Sequence, residues 1–436
     1  MQVVMIGPFG LTVKSTMRER ALPMAKALVR KGHEVTLIVP PWDSPAEAGQ
    51  TWSDEGVRII NTPLPKVKGP LYHLQLTAWL VRTALQFQPE VIHLFKPKAY
   101  SGLSHLWLLA LRRLGRRQAR LVVDEDDWEA AWNELRDYSP LQKRFFAWQE
   151  AWGLKRADGV TVASQALCRL VEGLDVPRYK IYYVPNGTRP IQSRLNVLKT
   201  FSAWQEELSA TIQADSLNLR TDFQQTIAGR LAGPLASTDF SGRIRAEYDL
   251  FGAPIVLLYT RFFEFQLESL LTIMVKVNRF LPETRWLIVG KGYFEEEVRL
   301  ADMAQAEGLA DKIIFAGWVS QEDLPHYFAA ANVALYPYDN TLLNQTKCSV
   351  KLLDLLAAGV PVVATEVGQN AEYIVHGKTG LLTPPQNPEA MVEAILLVLT
   401  QRDIQRLLGQ EAARYVNRRF NWNVLIESVE AAYKGI

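Results

Sequence analysis

The residue types and spacings best suited to chemistry fall in one run, Lys347-Cys348-Ser349-Val350-Lys351-Leu352-Leu353-Asp354, which continues through Ala357-Ala358-Gly359 to Val360-Pro361-Val362-Val363-Ala364-Thr365. The run predicts a loop, a helix over Val350–Ala358, a glycine stop, a strand, and a polar loop at Glu366–Asn370. Lys351 and Asp354 are one turn apart and share a helix face near its start. A cation and a carboxylate so placed suit a nucleotide sugar, the ammonium meeting a diphosphate and the carboxylate accepting hydrogen bonds from ribose hydroxyls. The same spacing also describes a local ion pair worth about 0.2–0.5 kcal/mol.

Two glycine loops follow strand candidates. Gly7-Pro8-Phe9-Gly10-Leu11-Thr12 precedes a helix, whose N-terminus favours an anion, and Gly290-Lys291-Gly292 offers a similar close backbone approach. The second loop lacks the third glycine of a dinucleotide fingerprint and an acid on the next strand, which disfavours a nicotinamide cofactor. Asp124-Glu125-Asp126-Asp127 ends another strand candidate. Four acids could bind a divalent cation, act near a reacting carbon, or form a solvated loop or helix start. His93 closes a strand, where it either packs or meets an acceptor, and His33 and His376 fall in turns. No nucleophile–base pair of the Ser–His kind stands out. Two cysteines, Cys168 and Cys348, cannot make a disulfide framework and give a zinc site two thiolates at most.

The elements that must position these residues come in two series. Strand candidates at Val3–Ile6, Val35–Val39, Arg58–Asn61, Val91–Leu94, Leu121–Asp124, Val160–Ala163 and Ile181–Val184 alternate with helix-length amphipathic stretches, the first over Thr16–Lys31. The pattern restarts at Ile255–Tyr259, Trp286–Val289, Ile313–Phe315, Val333–Leu335, Val362–Ala364 and Gly380–Leu382, with a helix at Glu295–Glu307. This α/β pattern predicts two doubly wound parallel-sheet domains, as a length of 436 residues also suggests. We place them at 1–190 and 251–417, with a helical insertion or linker at 191–250 and a C-terminal helix at 418–436 returning to the first domain. In the insertion, Leu195, Leu198, Phe201, Trp204, Leu208 and Ile212 recur at helical spacing.

Composition is globular, at 48% hydrophobic and 22% charged residues, which excludes disordered, collagen-like and coiled-coil classes. No apolar stretch reaches the ~18–20 residues of a membrane span. The start Gln2-Val3-Val4-Met5-Ile6 has no signal-peptide pattern, so a cytoplasmic protein is expected. Residues 1–190 carry 26 Lys+Arg against 18 Asp+Glu, and the remainder 22 against 28. A basic first half fits an anionic membrane surface or a phosphorylated acceptor better than nucleic acid, for which the excess is small. Basic, aromatic helices predicted at Leu71–Phe87, Leu106–Arg120 (with Arg112, Arg113, Arg116 and Arg117) and Leu141–Arg156 either lie at such a membrane or pack on the sheet.

The chain resembles the retaining glycosyltransferases of family 4 (group 1), which have the GT-B fold of two Rossmann-like domains. The likeness rests on Gly7–Gly10 with the helix after it; Lys31-Gly32-His33-Glu34-Val35; Glu90-Val91-Ile92-His93; Pro185-Asn186-Gly187; Tyr259-Thr260-Arg261; Leu287–Gly292; Leu381-Leu382-Thr383-Pro384-Pro385; and above all Lys351–Thr365, followed by Gly368, Glu372-Tyr373-Ile374 and His376–Gly380. The resemblance implies a nucleotide-sugar donor site of UDP or GDP type in the second domain, an acceptor site in the first, and no metal or other cofactor. It assigns Arg261 to the donor diphosphate, Asp354 to the ribose, and Gly317-Trp318-Val319 to the base-binding turn. It also puts Gly10, Gly290, Lys291, Gly292, Gln369 and Asn370 on the donor side, and His93, Lys96 and Asp127 on the acceptor side. Asp126, Arg261 and Lys351 are the expected catalytic groups.

This sequence departs from the family pattern at Thr346, where the first acid of E-x7-E would stand, and at Phe265-Gln266, where a lysine usually follows the arginine. Lys351, with Lys347 as the second choice, is the expected replacement for that cation, and Asp126 stands where the family often has histidine. The implied reaction is sugar transfer, with retention, to a glycan or lipid-linked hydroxyl in polysaccharide or glycolipid synthesis at the inner face of the cytoplasmic membrane. The alternatives are a nucleotide-sugar epimerase and a non-catalytic glycan- or membrane-binding scaffold.

Overall fold

Parallel strands covered by helices on both faces are buried on both sides, so they read as unbroken Val/Ile/Leu runs. The computed structural model, which describes residues 1–13, 16–115, 119–134, 136–188 and 240–436, builds two sheets from such runs. In the first, β1 (Gln2–Ile6), β2 (Glu34–Val39), β4 (Val57–Asn61), β5 (Val91–Phe95), β6 (Arg120–Glu125), β7 (Gly159–Val162) and β8 (Ile181–Tyr183) are joined by β3 (Thr51–Asp54) in the order β3-β4-β2-β1-β5-β6-β7-β8. Every pair is parallel except β3–β4. The chain therefore reverses direction across the sheet between β1 and β5. The second sheet contains β9 (Ile255–Tyr259), β10 (Arg285–Val289), β11 (Ile313–Gly317), β12 (Val333–Tyr336), β13 (Val362–Thr365) and β14 (Leu381–Thr383). It is parallel throughout, ordered β11-β10-β9-β12-β13-β14, and reverses between β9 and β12.

The chain divides into two compact units. One contains Met1–Arg189, Gln345–Val350 and Arg419–Ile436, and the other Pro190–Asn344 and Lys351–Arg418. The core of the first packs Met17, Met24 and Leu28 under β1, β2 and β4, and is completed by Trp422, Leu425, Ile426, Val429, Ala432 and Tyr433 from the helix Trp422–Lys434. The core of the second packs Leu270, Met274 and Val277 with Trp286, Ile288, Ile395 and Val398.

Two local expectations are corrected, and one strand was not expected. The helix expected over Thr16–Lys31 opens with a π-helical turn, Met17–Ala21, before the α-helix Leu22–Arg30 (α1). The strand β3 gives no sequence signal because its residues are mostly exposed and have no apolar face to alternate. The helix expected over Leu106–Arg120 runs instead over Ala99–Arg113 and stops at Gly115 with φ of 76°, a conformation glycine adopts without Cβ strain. Arg116 and Arg117 lie outside the described residues. So does the amphipathic stretch of the expected insertion up to residue 239, after which a helix runs over Phe240–Glu247.

Candidate functional site

In the first unit the polar residues gather at the carboxyl ends of β5 and β6. Arg20, on the π-helical turn, makes a two-pronged ion pair with Asp124, Nε to Oδ2 and Nη2 to Oδ1, both 2.7 Å, and Nη1 donates to Asn186 Oδ1 at 3.2 Å. Both side chains are buried. Burial alone would push each toward its neutral form. The mutual attraction outweighs it, so Arg20 is raised and Asp124 lowered from their ordinary values. The Thr161 hydroxyl donates to Asp124 Oδ1 at 2.6 Å. That spends its proton, so the contact of 3.1 Å to His93 must be a donation from Nε2, and Nδ1 then accepts from the Tyr433 hydroxyl at 2.9 Å. His93 is thus a fully buried neutral imidazole, its pKa pulled down to about 4 chiefly by burial. The structure does not bring it to an acceptor.

Asp126, Asp127 and Lys96 do come together. The Lys96 ammonium lies 2.8 Å from Asp126, 3.5 Å from Asp127 and 2.5 Å from Glu129, which heads the helix Glu129–Glu134. Lys98 lies 3.1 Å from Glu129, bonds Asn133, and sits 5.1 Å from the ring centres of both Tyr138 and Phe146. The four acids are therefore not a solvated loop. A lysine ammonium already holds the position a cation would take, and no group of three or more His, Cys, Asp or Glu among the described residues is arranged for a metal. Burial raises the Asp127 pKa to about 7, with Asp126 and Glu129 adding to it against the pull of Lys96. For Glu129, Lys96 and Lys98 more than offset burial, leaving about 2.

The loop carrying the two lysines is strained. Lys96 and Ala99 have φ of 56° and 50°, conformations that persist only when their surroundings over-determine them. Here the surroundings are the carboxylates on Lys96 and the Gln149 side chain, which accepts from the Ala99 amide at 2.8 Å and donates to its carbonyl at 3.2 Å. Gly10 spends its amide on Asp43 Oδ1 at 3.0 Å, so an anion there would compete with that carboxylate.

In the second unit the counterpart lies at the carboxyl end of β9, beside the point where the strand order reverses. Arg261 stands two residues past the end of β9. Its Nη1 donates to the Tyr293 hydroxyl at 2.7 Å, and its guanidinium carbon lies 5.8 Å from the Tyr293 ring centre and 5.7 Å from that of Trp318. The Lys351 ammonium sits 4.8 Å from the ring centre of Tyr259, the last residue of β9. Arg261 thus stands just past the end of β9, and Lys351 lies against that strand's last residue. Trp318 is largely exposed, Val319 and Asp354 are half-buried, and Lys291 is exposed.

The glycine loop does something other than expected. A Cβ at Gly290 would lie 1.9 Å from the Thr260 carbonyl oxygen, so glycine is needed where the loop after β10 crosses the loop after β9. The Gly290 amide donates to Gly317 O at 2.8 Å, the Gly292 amide to Glu297 Oε2 at 2.9 Å and the Phe294 amide to Glu296 Oε2 at 2.7 Å. These amides are engaged within the protein, not presented to a phosphate. Gln369 and Asn370 are buried, and Asn370 donates to Thr365 O at 3.0 Å, bracing the turn after β13. Sequence reasoning did not find Tyr293 or Arg20, and it quoted Tyr259 only as part of the Tyr259-Thr260-Arg261 run, without a role. For Tyr293 the available signal was an aromatic residue directly after Gly-Lys-Gly.

Two family models match, "Glycosyl transferases group 1" over residues 253–401 and "Glycosyl transferase 4-like domain" over residues 15–187. A GDP-mannose-dependent alpha-(1-6)-phosphatidylinositol monomannoside mannosyltransferase from Mycolicibacterium smegmatis is 29% identical over 89% of this chain and 87% of its own length. Its Mycobacterium tuberculosis counterpart is 27% identical over 44% of this chain, and there the match spans about half of the relative, 50%. Among solved structures, sucrose-phosphate synthase from Thermosynechococcus elongatus superposes with a TM-score of 0.67 at 19% identity, covering 100% of this chain and 98% of its own. The Anabaena protein HepE, in complex with UDP and glucose, gives a TM-score of 0.67 at 16% identity over 100% of both chains. With a matching model in each half of the chain and the same architecture in solved structures, the chain belongs to the group 1 glycosyltransferases and has the GT-B fold.

Proposed function

We propose that the protein moves a sugar from a nucleoside-diphosphate sugar to a hydroxyl of a glycan or lipid-linked acceptor, with retention at the anomeric carbon. The observation that carries this reading is that Arg261, just past β9, and Lys351, over the last residue of β9, both stand at that strand's carboxyl end, at the switch point where open α/β sheets take their ligands. Two cations there offset the charge that develops on a leaving diphosphate, so no metal is required. The acceptor oxygen bonds to the anomeric carbon as the bond from that carbon to the diphosphate breaks, and the acceptor proton passes to the departing phosphate. Lys96, Asp126 and Asp127 form the acceptor-side cluster. Two relatives whose names specify GDP-mannose make it the first donor to try.

Thermal unfolding with GDP, UDP, ADP and their sugar conjugates, with and without EDTA, tests the donor site. At 100 times its dissociation constant, a ligand that binds only the folded state adds about 2.7 kcal/mol. The expected result is stabilisation by one base class, unchanged by EDTA. Stabilisation by none would point to the scaffold reading, and loss of the shift with EDTA would overturn the metal-free site.

The same reading includes contact with an anionic membrane surface. Among the described residues no helix is long and apolar enough to cross a bilayer. The helix Pro140–Arg156 exposes Leu141, Phe145 and Trp148 at one-face spacing beside exposed Arg144. Co-sedimentation with vesicles containing phosphatidylserine is expected for the native chain and reduced in Phe145→Ser/Trp148→Ser. Equal pelleting of the two proteins would remove this face from the reading.

A further inference from the structure

Tyr293 stands where three independent features put it against Arg261. Gly290 lets the loop after β10 press onto the Thr260 carbonyl, which a Cβ would meet at 1.9 Å. The amides of Gly292 and Phe294, on either side of Tyr293, are tied to the carboxylates of Glu297 and Glu296 at 2.9 and 2.7 Å. The Tyr293 ring also lies 5.9 Å from that of Phe263, two residues past Arg261.

Arg261 is braced from its own side as well. Phe262 adopts φ of 68°, unusual for a bulky residue. Its amide donates to Thr260 Oγ1 at 2.8 Å, and that hydroxyl donates to Glu264 at 3.1 Å. Of the five guanidinium donors, the Tyr293 hydroxyl takes one, on Nη1. The opposite edge, Nε with Nη2, has the geometry for a two-oxygen acceptor.

We infer that Tyr293 is a positioning residue for donor binding: its hydroxyl holds Arg261 by Nη1 so that the Nε–Nη2 edge faces the diphosphate. This rests on the reading of Arg261 as the diphosphate ligand. A long, flexible side chain fixed before the ligand arrives loses less freedom on binding, and the gain falls on the diphosphate rather than on the base.

The test is isothermal titration of the full chain with GDP and GMP, or with UDP and UMP if uridine nucleotides stabilise the fold. Tyr293→Phe keeps the ring against the guanidinium and removes only the hydroxyl. It is expected to weaken diphosphate binding about five- to tenfold, lowering the ratio of diphosphate to monophosphate affinity, as loss of a hydrogen bond to a charged group at a partly exposed site would. In an Arg261→Ala background the same change is expected to have no effect, because Tyr293 acts through Arg261. If the native chain and Arg261→Ala differ in binding but Tyr293→Phe matches the native chain, the inference is overturned while the donor site stands. A full Tyr293→Phe effect in the Arg261→Ala background overturns it too, since the hydroxyl would then act on its own. If the native chain binds neither nucleotide, the donor-site reading falls and takes the inference with it.

Discussion

Arg20→Met is expected to destabilise the first unit by about 3–5 kcal/mol, because it leaves the Asp124 carboxylate buried without its partner. Asp124→Leu is expected to cost a similar amount, stranding Arg20. The informative variant is the pair. Arg20→Met/Asp124→Leu removes both charges, so its cost should fall well short of the sum of the single changes. Urea unfolding of the four proteins at pH 7 measures this, and strict additivity would mean the two residues do not act as a unit. The pH dependence has a defined sign. The carboxyl of Asp124 is held below its ordinary value of 3.8, so its contribution is present at neutral pH and is lost as the pH falls through that depressed value.

Arg261→Ala and Lys351→Ala are each expected to lower kcat for sugar transfer about 10²–10³-fold, the range found when one preorganised group is removed from a developing negative charge. The two cations reach the same strand end from different elements, Arg261 from the loop after β9 and Lys351 from the helix Val350–Ala357. Arg261 is half-exposed, so its removal should leave the unfolding midpoint of the ligand-free chain nearly unchanged. That separates lost chemistry from lost fold. Release of the nucleoside diphosphate from whichever nucleotide sugar stabilises the fold, with acceptor present, is the readout, and a Lys351→Ala protein with native kcat would show that the missing lysine at Phe265-Gln266 is not replaced from the helix.

The sheets were legible because buried parallel strands must be apolar on both faces, and runs such as Ile255–Tyr259 have no other reading at that length. The exposed edge strand Thr51–Asp54 carries no such constraint and left no mark. At the site, sequence indicated residue types but not their partners. Gly290 was recognisable as a glycine that something approaches closely, but nothing local announced the Thr260 carbonyl that does so. Asp124 looked like one of four equivalent acids until Arg20, 104 positions away in the chain, enclosed it. His93 was left open between packing and meeting an acceptor because nothing local announces Tyr433, a partner 340 positions away. Contacts at such separations are decided by how strands and helices stack, and short-range periodicity does not carry them.

The helix Trp422–Lys434 closes the core of a unit whose sheet is complete by Tyr183. It contributes the Glu430 carboxylate to His33 at 2.7 Å and the Ala432 carbonyl to Arg120 at 2.8 Å, as well as six core side chains. During synthesis, some 245 residues (434 − 189) separate the end of the first long segment from the end of this helix. At about 5–20 residues per second the ribosome needs on the order of tens of seconds to cover that distance. Throughout that interval the core side chains that pack on this helix lack it, and a chain cut before Trp422 never gains it. Quality control in the cell would therefore meet the front of this protein as an unfinished surface, and its last helix as the part that finishes it.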